Sequence, residues 1–216
     1  MFARFLNRLR VEGAGATARA VVRRIRKLAY LREEHVWYER DLHGDAPALD
    51  LPAGLRLVRA DASQVDCVVE LGQDVEEARQ RFDEGADLWL VLDGDDPLFL
   101  CFTFQQTTPV MAASDGTLVL PAGAACLEDA ITARAARGQG IASAAWLLVG
   151  ERLAQAGFTT LVAKIETDNA ASKRVAEKAG FRPVAVMQHQ RTGRRRHTAV
   201  HVLGGGLGDE LAARLS

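Results

Sequence analysis

The most informative part of the sequence is Arg137-Gly138-Gln139-Gly140-Ile141-Ala142-Ser143. It follows a predicted strand and opens a predicted helix. Its two glycines let the backbone approach a ligand closely, and the amides at a helix start have no acceptor within the helix. The helix dipole adds a positive potential at the same place. The stretch therefore predicts a seat for a phosphate or diphosphate, the alternative being a glycine-bearing turn without a ligand.

Two other phosphate-binding patterns fit the sequence less well. A P-loop requires Gly-x-x-x-x-Gly-Lys followed by Ser or Thr, and the sequence contains no such string. A dinucleotide-binding unit would use Gly138 and Gly140, with Glu166 at the end of the next strand. Its third glycine position is occupied by Ser143, however, and too little chain follows for two mononucleotide halves.

Three segments resemble the GNAT acetyltransferase superfamily. Residues 137–142 are similar to the family's Arg/Gln-x-x-Gly-x-Gly/Ala motif. Upstream, residues 127–132 resemble the family's fourth strand. The glycine motif and the family's downstream segment occur in order and about thirty residues apart, which makes the match specific, and the resemblance covers about 55–203. The family's downstream Asn…Ser…Glu-Lys-x-Gly-Phe segment is matched by Asn169, Ser172 and Glu177-Lys178-Ala179-Gly180-Phe181.

The resemblance implies a binding site for acetyl-CoA or another acyl-CoA as co-substrate. Backbone amides of the glycine stretch would hold the pyrophosphate, Arg137 would add positive charge, and the end of the fourth strand would pair with the pantetheine arm. The fourth and fifth strands would splay apart, and a strand amide in the gap would polarise the thioester carbonyl. The implied cofactor-binding residues are Thr132, Ala133, Arg137, Gly138, Gln139, Gly140, Ala142, Ser143, Asn169 and Ser172.

Glu128 is the candidate general base. A base is needed because an amine must lose a proton before it attacks a thioester. Glu128 lies four residues before Thr132, so that on a regular strand both side chains share one face. The position also matches one where many members of the resembled family carry a base; a solvated charge at the strand end is the alternative. Asp129 is expected on the opposite face unless a bulge intervenes.

The general acid of the resembled family is missing from its usual position. Many members carry a tyrosine on the helix after the Asn, and the matching residue here is Ala176. The two tyrosines of the chain, Tyr30 and Tyr38, lie in the N-terminal segment. We therefore expect water to protonate the departing thiolate, because a thiol pKa of about 8.5 makes thiolate a tolerable leaving group. Ser172 is a weaker candidate.

The predicted elements alternate along the chain in the manner of a mixed α/β protein. The fold class that we predict is α+β, with a GNAT-like, central, mostly antiparallel and splayed sheet flanked by helices, and with an N-terminal helical extension. Within that extension, helices are predicted over Met1–Val11 and Thr17–Tyr38. The predicted parts of the chain are the basic helical extension 1–40, a linker 41–54, the acyltransferase domain 55–206 and a C-terminal tail 207–216.

Charge is distributed unevenly along the chain. The first 34 residues hold nine basic and three acidic side chains, whereas the whole chain has a net charge of −1. We expect the basic extension to pack on the domain or at a homodimer interface. A rival is reversible contact with an anionic membrane surface. Nucleic-acid binding is not predicted, because the chain as a whole is not basic and aromatic residues are not interleaved with the basic ones.

Cysteine usage and hydropathy indicate a cytoplasmic protein without a metal. The three cysteines, Cys67, Cys101 and Cys126, lie in apolar stretches without CxxC spacing, which predicts reduced thiols. No spacing among the histidines is typical of a metal site. No apolar run reaches the roughly 20 residues of a transmembrane helix. Arginines interrupt the N-terminal segment where a signal peptide would need an apolar core.

The predicted function is acetyl-CoA-dependent transfer of an acetyl group to a primary amine, by direct attack in a ternary complex. The acceptor is a small molecule or a peptide, and peptide N-termini, lysine side chains, amino sugars and polyamines stay open. Two other classes also stay open. A noncatalytic acyl-CoA-binding regulatory module would account for the missing tyrosine. A long-chain acyltransferase acting at a membrane would use a different donor.

Overall fold

The structure is a computed structural model that describes residues 30–113, 116–193, 195–204 and 206–215. In this part of the chain there are ten strands and four α-helices. The strands are β1 (Tyr30–Asp41), β2 (Leu55–Ala60), β3 (Asp87–Asp93), β4 (Asp96–Phe104), β5 (Thr107–Pro109), β6 (Thr117–Val119), β7 (Ala124–Thr132), β8 (Thr160–Glu166), β9 (Arg182–Thr192) and β10 (Arg195–Val202). The helices are α1 (Val75–Asp83), α2 (Ile141–Gln155), α3 (Ala170–Lys178) and α4 (Leu207–Leu215), with 3₁₀ helices at Ala62–Leu71 and Arg134–Ala136.

Eight of the strands in the described part of the chain form one sheet in the order β10-β9-β1-β8-β7-β4-β3-β2. Neighbouring strands are antiparallel except for β7 and β8, which are parallel. Strands β5 and β6 form a separate two-stranded ribbon. The prediction of a mixed α+β protein with a mostly antiparallel sheet flanked by helices is therefore confirmed.

The sheet is covered by helices on both faces. Along β3, Leu88 and Leu90 pack on one face, and Trp89 and Val91 on the other, because successive side chains of a strand alternate. The long 3₁₀ helix, α1 and α4 cover the first face, and α2 and α3 cover the second. No helix within the described residues is long and apolar enough to cross a membrane.

Strands β7 and β8 separate halfway along their length. They pair only from Ala124 with Thr160 to Leu127 with Ala163. Beyond this point β7 continues beside β4 as far as Thr132, whereas β8 continues beside β1 as far as Glu166. One edge of the last part of β7 therefore faces a gap in the sheet, which is the predicted splay.

The helix predicted for Thr17–Tyr38 is wrong over its described part. Residues Tyr30–Asp41 form β1, which lies in the middle of the sheet, where it pairs with β8 on one side and with β9 on the other. Trp37 packs on one face and Tyr38 on the other, so the segment is buried as a two-faced strand. Pairing with two distant strands overrides the helical pattern of its charges. The rest of the predicted extension, including Met1–Val11, lies outside the described residues.

The predicted linker and tail also have a defined place. Residues 42–54 form neither helix nor strand, and they connect β1 to β2 of the same sheet. The segment 207–216 was predicted as a tail, but Leu207–Leu215 is α4. Leu207, Leu211 and Leu215 share one side of this helix and are buried against the sheet. Burial of this apolar stripe holds the C-terminal helix on the domain.

Alanine at Gly208 is expected to destabilise the protein. A Cβ atom there would lie 2.5 Å from the Val184 carbonyl oxygen of β9. Alanine usually stabilises a helix by about 0.5–1 kcal/mol relative to glycine, but this clash should reverse the sign and cost about 1–3 kcal/mol. Urea unfolding of Gly208→Ala measures the change, with Gly204→Ala, where a Cβ meets no atom within 4 Å, as control. Equal midpoints for both variants would contradict the packing of α4.

Candidate active site

A cavity of about 580 Å³ opens where β7 leaves β8, on the sheet face that carries α2 and α3. It is bordered by the end of β7, the glycine stretch, the start of α2 and one side of α3. Eight of the ten predicted cofactor-binding residues line it, namely Thr132, Arg137, Gly138, Gly140, Ala142, Ser143, Asn169 and Ser172. The topology therefore gathers segments that are separated by up to 40 residues in the sequence (132 to 172).

The glycine stretch presents backbone amides to this cavity. Gly138 and Gly140 both have a φ of 81°, a left-handed conformation that favours glycine. Gly140 is the N-cap of α2, and no side chain caps this helix. The first hydrogen bond of the helix runs from the Ala144 amide to the Gly140 carbonyl, so the amides before Ala144 have no acceptor within the helix. A Cβ atom on either glycine would meet nothing within 4 Å, which leaves room for a ligand.

Three cationic side chains line the same cavity. Arg137 was predicted, and its Nε atom donates a hydrogen bond to the Thr132 carbonyl at 3.2 Å. Arg174 and Lys178 were not predicted as site residues. They lie four residues apart on α3 and therefore share one side of that helix. This spacing, downstream of the Asn169 motif, is the signal in the sequence that would have indicated them.

Ala133 and Gln139 do not line the cavity. The Ala133 amide donates to the Leu98 carbonyl at 2.8 Å, and the Ala133 carbonyl accepts from the Ala136 amide at 2.9 Å. Both backbone groups of Ala133 are thus engaged within the protein, which the strand pattern alone does not reveal. The Gln139 side chain donates to the Ala135 carbonyl at 3.3 Å.

A second cavity of about 290 Å³ lies in the gap itself. It shares wall residues with the first cavity, including Ala130, Ile131 and Trp146, so the two cavities adjoin. Its remaining wall is rich in titratable side chains from three neighbouring strands. These are His35 of β1, Glu128 and Asp129 of β7, and Lys164 and Glu166 of β8.

The side chain of Glu128 has little exposure and forms several contacts in this cavity. Its side chain is 9% exposed, and Lys164 Nζ lies 2.7 Å from its Oε1 atom. The Thr108 hydroxyl donates to the same oxygen, and the Cys126 thiol lies 3.7 Å from it. Among the described residues all of these contacts fall on Oε1. Glu128 is therefore not a solvated charge at a strand end, because its carboxylate contacts a cation and a hydroxyl donor.

A β-bulge changes the orientation of the residues that follow Glu128. Phe102 of β4 pairs with Glu128, but Leu100 pairs with Ile131, so the single residue between them opposes both Asp129 and Ala130. Asp129 has a φ of 52° and the left-handed conformation that Asp tolerates better than most residues. The strand is thus irregular, and Glu128 and Thr132 line different cavities. Bulges of this kind are common beside active sites.

Asp129 consequently lines the same cavity as Glu128 rather than facing away from it. Its carboxylate lies 2.6 Å from Nη1 of Arg81 on α1. Arg81 also lies over the Phe102 ring, at 5.0 Å from its centroid, and pairs with Glu77 at 2.8 Å. A chain of charged contacts therefore connects α1 to the gap.

His35 and Lys164 line the gap cavity although no sequence pattern indicates them. Lys164 Nζ donates to the Pro109 carbonyl of β5 as well as pairing with Glu128. Burial, and next the positive charge of Lys164, lower the pKa of His35 to about 4, so its imidazole is neutral at pH 7. The sequence did not indicate His35 as a site residue, because its segment was predicted as a helix outside the domain.

Ala176 occupies the position on α3 where many family members carry the tyrosine. Ala176 is completely buried among the apolar residues of the second face. Tyr38 is also buried on that face, where burial and next Glu177 raise its pKa, and it lines neither cavity. The Asn169 side chain caps α3 by accepting from the Ser172 amide at 3.0 Å. Asn169 is thus held at the cavity wall by its role as a cap.

Comparison with known proteins identifies the family. A model of the acetyltransferase (GNAT) domain matches residues 48–182, which is more than half of the chain. No curated protein sequence matches the chain significantly. Several solved structures share its fold. The family match begins after β1, although β1 is central to the sheet.

Three of these structures illustrate the likeness. An acetyltransferase of the GNAT family from Colwellia psychrerythraea has a TM-score of 0.53 and 17% identity over 74% of this chain and 56% of its own. A GCN5-related N-acetyltransferase from Sphaerobacter thermophilus has a TM-score of 0.52 and 16% identity, over 83% of this chain and 58% of its own. A GCN5-related N-acetyltransferase from Kribbella flavida has a TM-score of 0.51 and 14% identity, over 89% of this chain and 65% of its own. The chain thus spans less than two thirds of each of these proteins. On the family match, the chain belongs to the GNAT acetyltransferase family.

Proposed function

We propose that the protein is an acyl-CoA-dependent N-acyltransferase that uses acetyl-CoA as donor and a primary amine as acceptor, by direct attack in a ternary complex. The observation that carries the proposal is the meeting of two cavities at the splay of β7 and β8. One cavity has cations and helix amides without an acceptor in the helix, as a diphosphate requires. The other has the carboxylate of Glu128, whose side chain is 9% exposed.

The donor side fits an acyl-CoA by its chemistry. The amides at the start of α2 and the open space above Gly138 and Gly140 would accept the diphosphate. Arg137, Arg174 and Lys178 would add positive charge around it. The edge of β7 that faces the gap would pair with the amide groups of the pantetheine arm, as an added strand does. The bound donor supplies an activated acyl group as a thioester.

The acceptor side would use Glu128 as the base. The amine nitrogen gives a proton to the carboxylate and attacks the acyl carbon, so that a bond from nitrogen to carbon forms and the bond from carbon to sulfur breaks. The sulfur takes up a proton from water, because the tyrosine position is Ala176. The bulge at Asp129 frees β7 from regular pairing, and a backbone amide there would polarise the acyl carbonyl.

A noncatalytic acyl-CoA-binding module is the second candidate. Two observations favour it: the buried Ala176, and the engagement of Glu128 by Lys164 and Thr108. Calorimetry with acetyl-CoA and palmitoyl-CoA, followed by CoA release with a panel of amines, separates the candidates. The panel contains a peptide N-terminus, a lysine peptide, an amino sugar and a polyamine. We expect acetyl-CoA to bind and at least one amine to be acylated. Binding without turnover would favour the noncatalytic module. A preference for palmitoyl-CoA would favour a long-chain acyltransferase. If neither acyl-CoA binds, the acetyltransferase, the module and the long-chain enzyme are all refuted.

Neutralising the α3 cations should weaken donor binding. Arg174→Gln and Lys178→Gln are each expected to lower the affinity for CoA by roughly tenfold, as loss of one exposed charge-assisted contact would. The loss should shrink in 0.5 M salt, because exposed charges are screened. Calorimetry measures both effects, and Arg152→Gln near the C-terminal end of α2 is the control. Equal affinities for the three variants would place the anion elsewhere.

A further inference from the structure

The N-terminal strand contributes a side chain to the acceptor side of the gap. Strand β1 precedes the family match at 48–182, yet it pairs with β8 along the part of β8 that β7 has left. His35 pairs in register with Glu166, and both line the gap cavity. A residue from outside the matched segment is therefore part of the wall of the gap cavity.

The His35 imidazole has no hydrogen-bond partner in the described part of the chain. Its Nδ1 atom is buried and unpaired. Buried polar groups in proteins are nearly always hydrogen-bonded, so an unpaired imidazole on a cavity wall calls for an explanation. A ligand in the cavity would not reach the buried Nδ1 atom, but it would meet the imidazole at the other ring nitrogen, on the cavity wall.

The surroundings of His35 make it distinct from the other polar groups of the cavity. Glu128 and Asp129 on β7 are already paired with Lys164 and Arg81, respectively. The remaining charged wall residue is Glu166 on β8. His35 lies among these charges as a neutral group, since burial and Lys164 disfavour its protonated form. A neutral imidazole can accept a hydrogen bond without repelling an incoming amine.

We propose that His35 binds the acceptor amine. Its imidazole accepts a hydrogen bond from the amine N–H and orients the nitrogen lone pair toward the donor, while Glu128 takes the proton. The inference rests on the proposed N-acyltransferase function. It also makes β1 a part of the active site, so that residues 48–182 alone would lack one wall of the acceptor cavity.

Two variants of His35 test this role. His35→Gln keeps a hydrogen-bond acceptor, whereas His35→Leu keeps bulk and removes it. Glu34→Gln is the matched control, because Glu34 is the neighbouring residue on the opposite face of β1. The full chain is used throughout. Calorimetry measures the affinity for CoA, and thermal unfolding shows whether each variant is folded. Steady-state kinetics give kcat/KM for an amine of the panel that the wild type acylates.

We expect His35→Leu to lower kcat/KM for the amine by about 10- to 100-fold with unchanged CoA affinity, as loss of one buried hydrogen bond implies. His35→Gln should recover part of this loss, and Glu34→Gln should match the wild type. A change of less than twofold for His35→Leu would overturn the proposal while the function stands. A parallel loss of CoA affinity and thermal stability would also overturn it, by assigning His35 a structural role. A wild type without activity on any amine would refute the proposed function itself.

Discussion

Gly140→Asp is expected to abolish the binding of CoA. Gly140 caps α2, and the added carboxylate would stand at the amides that would otherwise hold the diphosphate. Like charges in contact cost several kcal/mol, which corresponds to an affinity loss of about 100-fold or more. A Cβ at this position meets no atom within 4 Å, so the variant has room to fold. Calorimetric titration with CoA measures the loss.

Gly140→Asn is the matched control for this experiment. Asn has the shape of Asp without its charge, and both tolerate the left-handed conformation that Gly140 adopts with a φ of 81°. We expect Gly140→Asn to bind CoA within about tenfold of the wild type, because Asn adds no negative charge and its left-handed cost of about 1 kcal/mol falls on folding and not on binding. If Asp and Asn variants lose affinity equally, charge at the start of α2 is irrelevant and the anion lies elsewhere.

Glu128→Gln is expected to lower kcat by about 100- to 10,000-fold, the usual range for loss of a general base. Glutamine keeps the size of the side chain and can still accept from Thr108, but it cannot take a proton from the amine. The affinity for acetyl-CoA should change little, because Glu128 lines the gap cavity and not the cavity at α2. Steady-state kinetics at saturating donor, with calorimetry alongside, measure the two quantities.

Asp129→Asn is the control for the Glu128 variant. Asp129 lines the same cavity, pairs with a cation as Glu128 does, and occupies a left-handed position that Asn tolerates. We expect its kcat to fall by less than tenfold. Thermal unfolding must show that both variants are folded, since each breaks an ion pair. Equal losses of kcat would mean that the charge of the cavity, and not the proton transfer by Glu128, supports turnover.

Local sequence signals were sufficient for most of the fold. The glycine stretch, the apolar runs of β3 and β4 and the cap at Asn169 act over a few residues, so their patterns appear directly in the sequence. The helix predicted for residues 30–38 was wrong for a physical reason. Its strand conformation depends on pairing with β8 and β9, which follow it by more than a hundred residues. Charge periodicity carries no information about such partners.

The candidate site divides in the same way. Gly138 and Gly140, whose proposed role depends on the backbone, are indicated by a short motif, and they line the cavity. Lys164 and His35 enter the site through strand register and through the splay, so no short pattern could indicate them. The bulge at Asp129 likewise depends on the pairing of β7 with β4.

The most direct measurement is hydrogen exchange at the first turn of α2 with and without CoA. We expect CoA to slow exchange of the amides of Ile141, Ala142 and Ser143, because the diphosphate would accept their hydrogen bonds. The first-turn amides of α1 serve as reference, since Asp74 already accepts from Glu76 and Glu77. Binding of CoA that leaves exchange at residues 141–143 unchanged would contradict the assignment of this helix start as the diphosphate seat.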